Sequence, residues 1–396
     1  MTDTLRAIDA RARLAVRSLV ASPIREVANV GLDDAGILPF WFGEPDQVTP
    51  AYIRDAAVAA LAAGETFYTQ NFGIPELRQA IAAYVSRWHA PTPAGNVAVT
   101  ASGMSALMLA VEALLDPGDR VVCVTPLWPN LTEIPRILGA EVVRVALSFG
   151  ERGWTLDLDR LLTALKPGTR AVMINSPNNP TGWTLDRASQ QTILDHCRRH
   201  GIWIVADDVY ERLYYDAPVA RACAPSFLDL ADAGERVVST NSFSKAWLMT
   251  GWRLGWIIAP PALLPDLGKL IEYNTSCSPS FVQRAGVAAI DGGEATIAQT
   301  LARYRTARDF LVAELNAIPG VGAASPQGAM YVFFRVAGIT DSLAFCKRLV
   351  REARLGLAPG SAFGPEGEGF VRWCLAAEPA RLADGVARLR RALAAA

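Results

Sequence analysis

The sequence carries no surplus of either charge. Among its 396 residues, 38 Lys and Arg stand against 39 Asp and Glu, a formal net charge of −1. A general nucleic-acid binder needs a strong basic excess, so that class is excluded, though a local anion site is not. No window offers the ~18 consecutive apolar residues that would span a bilayer. The best stretch, 254–264, is short and broken by Pro260-Pro261. Asp3, Arg6, Asp9, Arg11, Arg13 and Arg17 interrupt the N-terminus too often for a secretory signal core. The six cysteines (Cys123, Cys197, Cys223, Cys277, Cys346, Cys374) form no CxxC pair and no framework spacing. They read as reduced thiols of a cytoplasmic protein. Histidine is scarce, at His89, His196 and His200 only. His196 and His200 have the i, i+4 spacing of two ligands on one helix face, yet Arg198 and Arg199 lie between them and no third ligand is evident. They read as a solvated face, and no metal is expected. A GxGxxG fingerprint is absent, which argues against a nicotinamide enzyme.

What is present is apolar material in a regular order. With 51% hydrophobic and 19% charged residues, disorder is excluded and a large core is expected. The length suggests two or three domains. Strand-like runs at 97–100, 120–125, 141–146, 170–175, 202–206, 236–241 and 254–259 alternate with helical patterns at 105–115, 131–138, 158–165 and 185–200. Nearly continuous apolar runs such as IWIV (202–205) suit strands buried on both faces, so the fold class is α/β with a mostly parallel seven-stranded sheet between helices. After about residue 262 the character changes. Helical patterns at 263–273, 281–290 and 295–317 precede a strand at 329–336, a helix at 342–354, a strand at 370–376 and a final helix from Ala380. These predict a smaller α+β domain, rejoined by the N-terminus through a strand-like run at 37–42. The expected division is a large domain over 46–290 and a small one over 1–45 and 291–396.

Five of the inferred strands end in polar clusters that a purely structural loop would not need: Ser102-Gly103-Met104, Trp128-Pro129-Asn130, the Asn178-Asn179 segment, Asp207-Asp208-Val209-Tyr210, and Ser242-Phe243-Ser244-Lys245 followed by Arg253. In an open parallel sheet ligands bind beyond the carboxyl ends of the strands, so these clusters converge on one crevice. Ser102-Gly103 opening a helix presents backbone N–H groups to an anion. Ser242, Ser244 and Arg253 complete a phosphate site. Trp128 offers a flat face to a ring, Asp207 a carboxylate to a cationic ring nitrogen, and Asn179 and Tyr210 neutral hydrogen bonds. An aromatic, phosphorylated, nitrogen-containing cofactor with a reactive aldehyde uses all of these, and it requires a lysine to hold the aldehyde as a Schiff base. Of the four lysines (Lys166, Lys245, Lys269, Lys347), only Lys245 lies among the polar strand ends.

With these residues in place, SPNNPTG (176–182), DDVY (207–210) and SFSKAWLMTGWRLG (242–255) are seen to resemble the signature segments of the class I/II, aspartate aminotransferase-like family of fold-type I pyridoxal-phosphate enzymes. GEPD (43–46), FYTQNFGIPELR (67–78), TASGMSAL (100–107), TPLWPN (125–130), PGSAFG (359–364) and GFVRWCLA (369–376) follow in the family's order, so the resemblance covers nearly the whole chain. It implies pyridoxal 5′-phosphate as cofactor, with Lys245 as Schiff-base lysine and proton carrier and Asp207 paired with the pyridinium nitrogen. It further implies Asn179 and Tyr210 on the ring's phenolic oxygen, Trp128 stacked on the ring, and Ser102, Gly103, Met104, Ser242, Ser244 and Arg253 around the phosphate. Tyr68 would reach the phosphate in a neighbouring subunit, implying a homodimer with shared sites. Arg372 would fork onto the substrate α-carboxylate, with Gly43 close by and Asn179 assisting.

The implied reaction is ping-pong transfer of an amino group between an L-amino acid and a 2-oxo acid. Dicarboxylate-specific relatives carry an extra cation; Arg284 reads as a helix residue instead, and Leu131 stands where some aspartate-specific relatives have histidine. Trp41-Phe42 is a bulky pair, which favours a neutral or aromatic donor while leaving aspartate possible. Two other readings share the fold: a carbon–sulfur β-lyase, which would yield pyruvate and ammonia from cystathionine, and a non-catalytic regulatory protein. The ~40 residues before Gly43 are too few and too lightly basic for the helix-turn-helix extension of the latter.

Overall fold

The computed structural model describes residues 11–218 and 222–394; Asp3, Arg6 and Asp9 lie outside them. The centre is a seven-stranded sheet built from β1 (Val97–Thr100), β2 (Arg120–Thr125), β3 (Glu141–Ala146), β4 (Thr169–Asn175), β5 (Trp203–Asp207), β6 (Val237–Ser242) and β7 (Gly255–Ile258), in the spatial order β1-β7-β6-β5-β4-β2-β3. Neighbours pair in parallel except β7, which runs antiparallel to both β1 and β6. The C-terminal ends of β1, β2, β4, β5 and β6 therefore share one edge, and the start of β7 meets them there.

Alternation within each strand explains the two covering layers. Val122 and Val124, Val172 and Ile174, and Ile204 and Ala206 face one hydrophobic cluster. Val121 and Cys123, Ala171 and Met173, and Val205 face another. A strand buried on both faces has no polar side to show, which is why these segments read as continuous apolar runs. The helices α1 (Pro75–Trp88), α2 (Gly103–Leu114) and α3 (Ser280–Gly292) pack on the sheet. A 23-residue helix, α4 (Glu294–Asn316), leads to a second, four-stranded antiparallel sheet of β8 (Val321–Ala323), β9 (Tyr331–Val336), β10 (Ala358–Pro359) and β11 (Phe370–Cys374), ordered β8-β9-β11-β10. The core of this second sheet is continuous with one face of the first.

The strand expected at 37–42 is shorter than its apolar run. Only Leu38–Pro39 pairs, in parallel with Leu355–Gly356. Phe40 N–H still reaches the Gly356 carbonyl at 2.7 Å, but the Trp41 carbonyl turns instead to the Arg372 guanidinium. The run ends because its backbone is used by the site. No helix among the described residues is long and apolar enough to cross a membrane.

Candidate active site

The shared strand edge opens on a cavity of about 460 Å³. Gly43, Gly103, Met104, Trp128, Asn179, Asp207, Tyr210, Ser242, Ser244, Lys245, Arg253 and Arg372 all line it, and Ser102 caps the helix that opens there. Tyr68 alone of the expected residues stands apart, 89% exposed on the surface of the single chain.

One wall is an anion cup. Ser102, two residues beyond β1, caps α2: its hydroxyl accepts from Ser105 N–H at 2.9 Å. Gly103 begins the helix where no side chain fits, since a Cβ there would lie 2.8 Å from Ser242 Cβ. Ser242 Oγ and Ser244 Oγ are 2.8 Å apart, and Arg253 Nη1 donates to Ser244 Oγ at 3.4 Å and to the Thr250 carbonyl at 2.6 Å. Arg253 holds a left-handed backbone, φ 52°, which costs a non-glycine residue about 1–3 kcal/mol and is retained where the side chain must point one way. The donors and the positive end of a three-turn helix suit a phosphate group.

The floor is carried by β4 and β5. Asn175 donates to the Asp207 carbonyl at 3.0 Å, and its Oδ1 accepts from Asn179 N–H at 2.7 Å. The Asn179 carbonyl takes Trp128 N–H at 2.9 Å, and its side-chain oxygen takes Arg372 Nη1 at 2.9 Å. Asp207 is buried, and among the described residues its carboxylate has only the Val209 N–H, at 3.4 Å. Burial first, then the neighbouring Asp208, pushes its pKa up to about 7. Lys245 offsets this rise only in part, and a protonated ring nitrogen would supply the close cationic partner that the buried carboxylate needs. Opposite it, Lys245 Nζ donates to the Gly43 carbonyl at 2.5 Å. Burial lowers the amine to about 8, so a neutral nucleophile is available near physiological pH.

Arg372 comes from β11, in the second sheet. It is buried, with Nη2 on the Trp41 carbonyl at 2.5 Å and Cζ 4.3 Å above the Tyr331 ring and 4.9 Å above the Phe363 ring. Its Nε has no partner among the described residues. A buried guanidinium without a carboxylate is built to receive one.

Tyr331, on β9, is a site residue the sequence reading missed. Its hydroxyl is 2.8 Å from the Tyr210 hydroxyl, and a Cβ on Gly43 would sit 1.9 Å from it. It lies in AMYVFFRV, a run that reads as core, and nothing local distinguishes it. Met104 lines the cavity while its sulfur accepts from Asn130 Nδ2 at 3.2 Å. Arg284 is held on α3 by Glu65 at 2.7 Å and Glu76 at 3.0 Å, and Leu131 is buried in the core. His196 spends Nε2 on the Leu165 carbonyl at 2.7 Å.

A lysine, a buried aspartate, a phosphate cup and a carboxylate receptor at the strand ends of this sheet define a pyridoxal-phosphate enzyme of fold type I. Comparison with known proteins carries this further. Residues 37–389 match the family described as Aminotransferase class I and II. The aspartate aminotransferase of Pyrococcus horikoshii is 35% identical over 94% of this chain and 94% of its own. An alanine aminotransferase from Pyrococcus furiosus superposes with a TM-score of 0.90 at 27% identity, covering 98% of this chain and all of the other. An aromatic aminotransferase from Pyrococcus horikoshii gives 0.85 at 31% identity over 93% and 99%. The chain belongs to the class I and II aminotransferases. It is a pyridoxal-phosphate-dependent transaminase, acting on amino acids and 2-oxo acids.

Proposed function

We propose that this chain moves an amino group between an L-amino acid and a 2-oxo acid in two half-reactions at this one pocket, with the neutral or aromatic amino acids as preferred donors. The observation that carries the reading is the pairing of Lys245, lowered to about 8, with the carboxylate-free buried Arg372 across one cavity. The bulky Trp41-Phe42 pair beside Gly43, and Arg284 being spent on Glu65 and Glu76, support the donor preference.

Pyridoxal phosphate, when bound, supplies an aldehyde to carry the amine and a ring that takes up charge from Cα. The side chains do the rest. Arg372 forks onto the α-carboxylate and, with Asn179 fixed against it, sets which Cα bond faces Lys245. Lys245 would hold the aldehyde and, once free, its Nζ would serve as the base and acid that carries a proton to and from the substrate Cα. Asp207 would hold the proton on the ring nitrogen. Tyr210 and the amide of Asn179 would hydrogen-bond the ring's phenolic oxygen, Trp128 would cover a ring face, and Ser102, Gly103, Met104, Ser242, Ser244 and Arg253 would hold the phosphate. The large domain (46–290) thus carries the cofactor contacts, and the small one (1–45 and 291–396) supplies Gly43 and Arg372. Tyr68, exposed here, serves the phosphate of a partner subunit in a homodimer. The six free thiols are in keeping with a reducing cytoplasm.

Borohydride treatment of the yellow holoenzyme followed by peptide mapping tests the assignment. The pyridoxyl group is expected on Lys245, and Lys245→Ala abolishes turnover. Label on Lys166, Lys269 or Lys347 would overturn it, and stoichiometric pyruvate and ammonia in place of a 2-oxo acid would turn the reaction into a lyase's.

A further inference from the structure

Outside the cofactor pocket, three side chains of metal-ligand type meet. His89 caps the C-terminal end of α1, Glu211 lies just beyond β5, and Cys223 is in the segment that follows. His89 Nε2 is 3.1 Å from Glu211 Oε2 and 3.7 Å from Cys223 Sγ, and the three ligand atoms all lie within 4.8 Å of one another. Bonds of ~2.0–2.3 Å around a tetrahedral zinc put its ligand atoms about 3.3–3.6 Å apart. The two distances from Nε2 bracket that spacing. The His89 and Glu211 side chains are 2% and 6% exposed.

The surroundings are those of an ion site. His89 Nδ1 is 2.7 Å from Asp229 Oδ1, an outer carboxylate of the kind that orients a ligating imidazole, and an ion at the centre would displace the proton that Nε2 shares with Glu211. Glu211 has its other oxygen, Oε1, taken by Asn241 Nδ2 at 2.8 Å, which leaves Oε2 turned to the centre. Charge points the same way. Asp208, Glu211 and Asp229 gather around one imidazole, while the adjacent Arg212 is consumed by Glu294 at 2.7 and 3.0 Å and Arg187 reaches Asp229 only from the outside, at 3.6 Å. Carboxylates withdrawn from water are paired or bind metal.

The geometry points to a divalent zinc-type ion held by His89 Nε2, Glu211 Oε2 and Cys223 Sγ, with Asp229 and Asn241 behind the ligands. A thiolate with an imidazole selects zinc and its first-row neighbours over magnesium or calcium. The ion is structural. It pins the end of α1 to the chain beyond β5, and through Asn241, whose Oδ1 accepts from Ser242 N–H at 2.8 Å, it braces the back of the phosphate cup.

Cobalt is the probe. Holoenzyme stripped on a chelating resin and titrated with Co²⁺ is expected to bind one equivalent per chain, with d–d bands on the long-wavelength side of the cofactor's absorbance, and Zn²⁺ is expected to abolish them. Cys223→Ser is expected to lose the thiolate-enhanced intensity and to weaken Zn²⁺ binding at least tenfold, while turnover per bound cofactor is unchanged. Added Zn²⁺ is expected to raise the Tm of the wild type and not that of Cys223→Ser. Failure of the wild type to retain stoichiometric Co²⁺ or Zn²⁺ would make the cluster a hydrogen-bond network only. Equal binding by Cys223→Ser would put the ion elsewhere. Either outcome overturns the proposal without touching the transaminase reading.

Discussion

Asp207 is held where an aspartate alone is disfavoured: buried, beside Asp208, with one long hydrogen bond. The folded cofactor-free protein keeps a proton on it that the unfolded chain releases between pH 3.8 and about 7. The group therefore costs stability as pH rises through that window. Asp207→Asn removes the cost, and the apoprotein is expected to melt several degrees higher at pH 8 while the holoenzyme loses roughly 10²-fold or more in kcat. Calorimetry of the apo form beside steady-state rates checks both; an unchanged kcat would remove Asp207 from the chemistry. Lys245 gives the opposite sign. Its amine sheds its proton above about pH 8, so the rate at which apoprotein captures pyridoxal phosphate is expected to rise as pH is raised through 8 and then level off, read by stopped-flow absorbance. A rate that keeps climbing about tenfold per pH unit to 9.5 without levelling would place the lysine in a less buried setting.

Between elements, glycines fix how closely β7, α2 and β6 approach. A Cβ on Gly255 would lie 2.6 Å from Gly103 N and 2.7 Å from the Asn241 carbonyl, both backbone atoms that cannot step aside. Gly255→Ala is expected to destabilise by about 1–3 kcal/mol and, by displacing the Gly103 N–H, to weaken retention of pyridoxal phosphate. Gly43→Ala meets Tyr331 Oη instead, and is expected to cost kcat/KM about tenfold or more with cofactor retention intact. Equilibrium dialysis and kinetics separate the two variants. Much of this scale was legible in the sequence. Strands buried on both faces announce themselves as short apolar runs, and β1, β2 and β3 fall at 97–100, 120–125 and 141–146 as the pattern has them. The helix at Ala51–Ala62 did not announce itself, because AYIRDAAVAALA is alanine-rich with little contrast between its faces. Tyr331 and the shortened run at 37–42 were hidden for another reason: each is defined by partners more than 100 residues away, the one by Tyr210 and Gly43, the other by Leu355–Gly356 and Arg372.

At the scale of the whole molecule, two sheets divide the work. The first presents the proposed cofactor contacts at its strand ends, and the second brings Arg372 and Tyr331 to the same cavity, so the pocket exists only when both are folded. Phe67 and Tyr68 are 83% and 89% exposed on the single chain, and the proposed homodimer would set Tyr68 against the partner's site. A dimer is expected by light scattering, and Tyr68→Phe is expected to lower cofactor affinity while the dimer persists; a functional monomer would contradict this. The order of signature segments from Gly43 to Ala376 made the reaction class readable before any coordinates, whereas the donor depends on pocket walls assembled from distant segments. The central claim is transfer of an amino group at Lys245, and a half-reaction scan tests it most directly. Single amino acids are added in turn to holoenzyme without a 2-oxo acid, and the cofactor spectrum is followed. The account predicts conversion of the aldehyde form to the amine form, one 2-oxo acid released per site, with neutral or aromatic donors most effective. A spectrum that returns unchanged while pyruvate and ammonia accumulate, or no conversion with any amino acid, would contradict it.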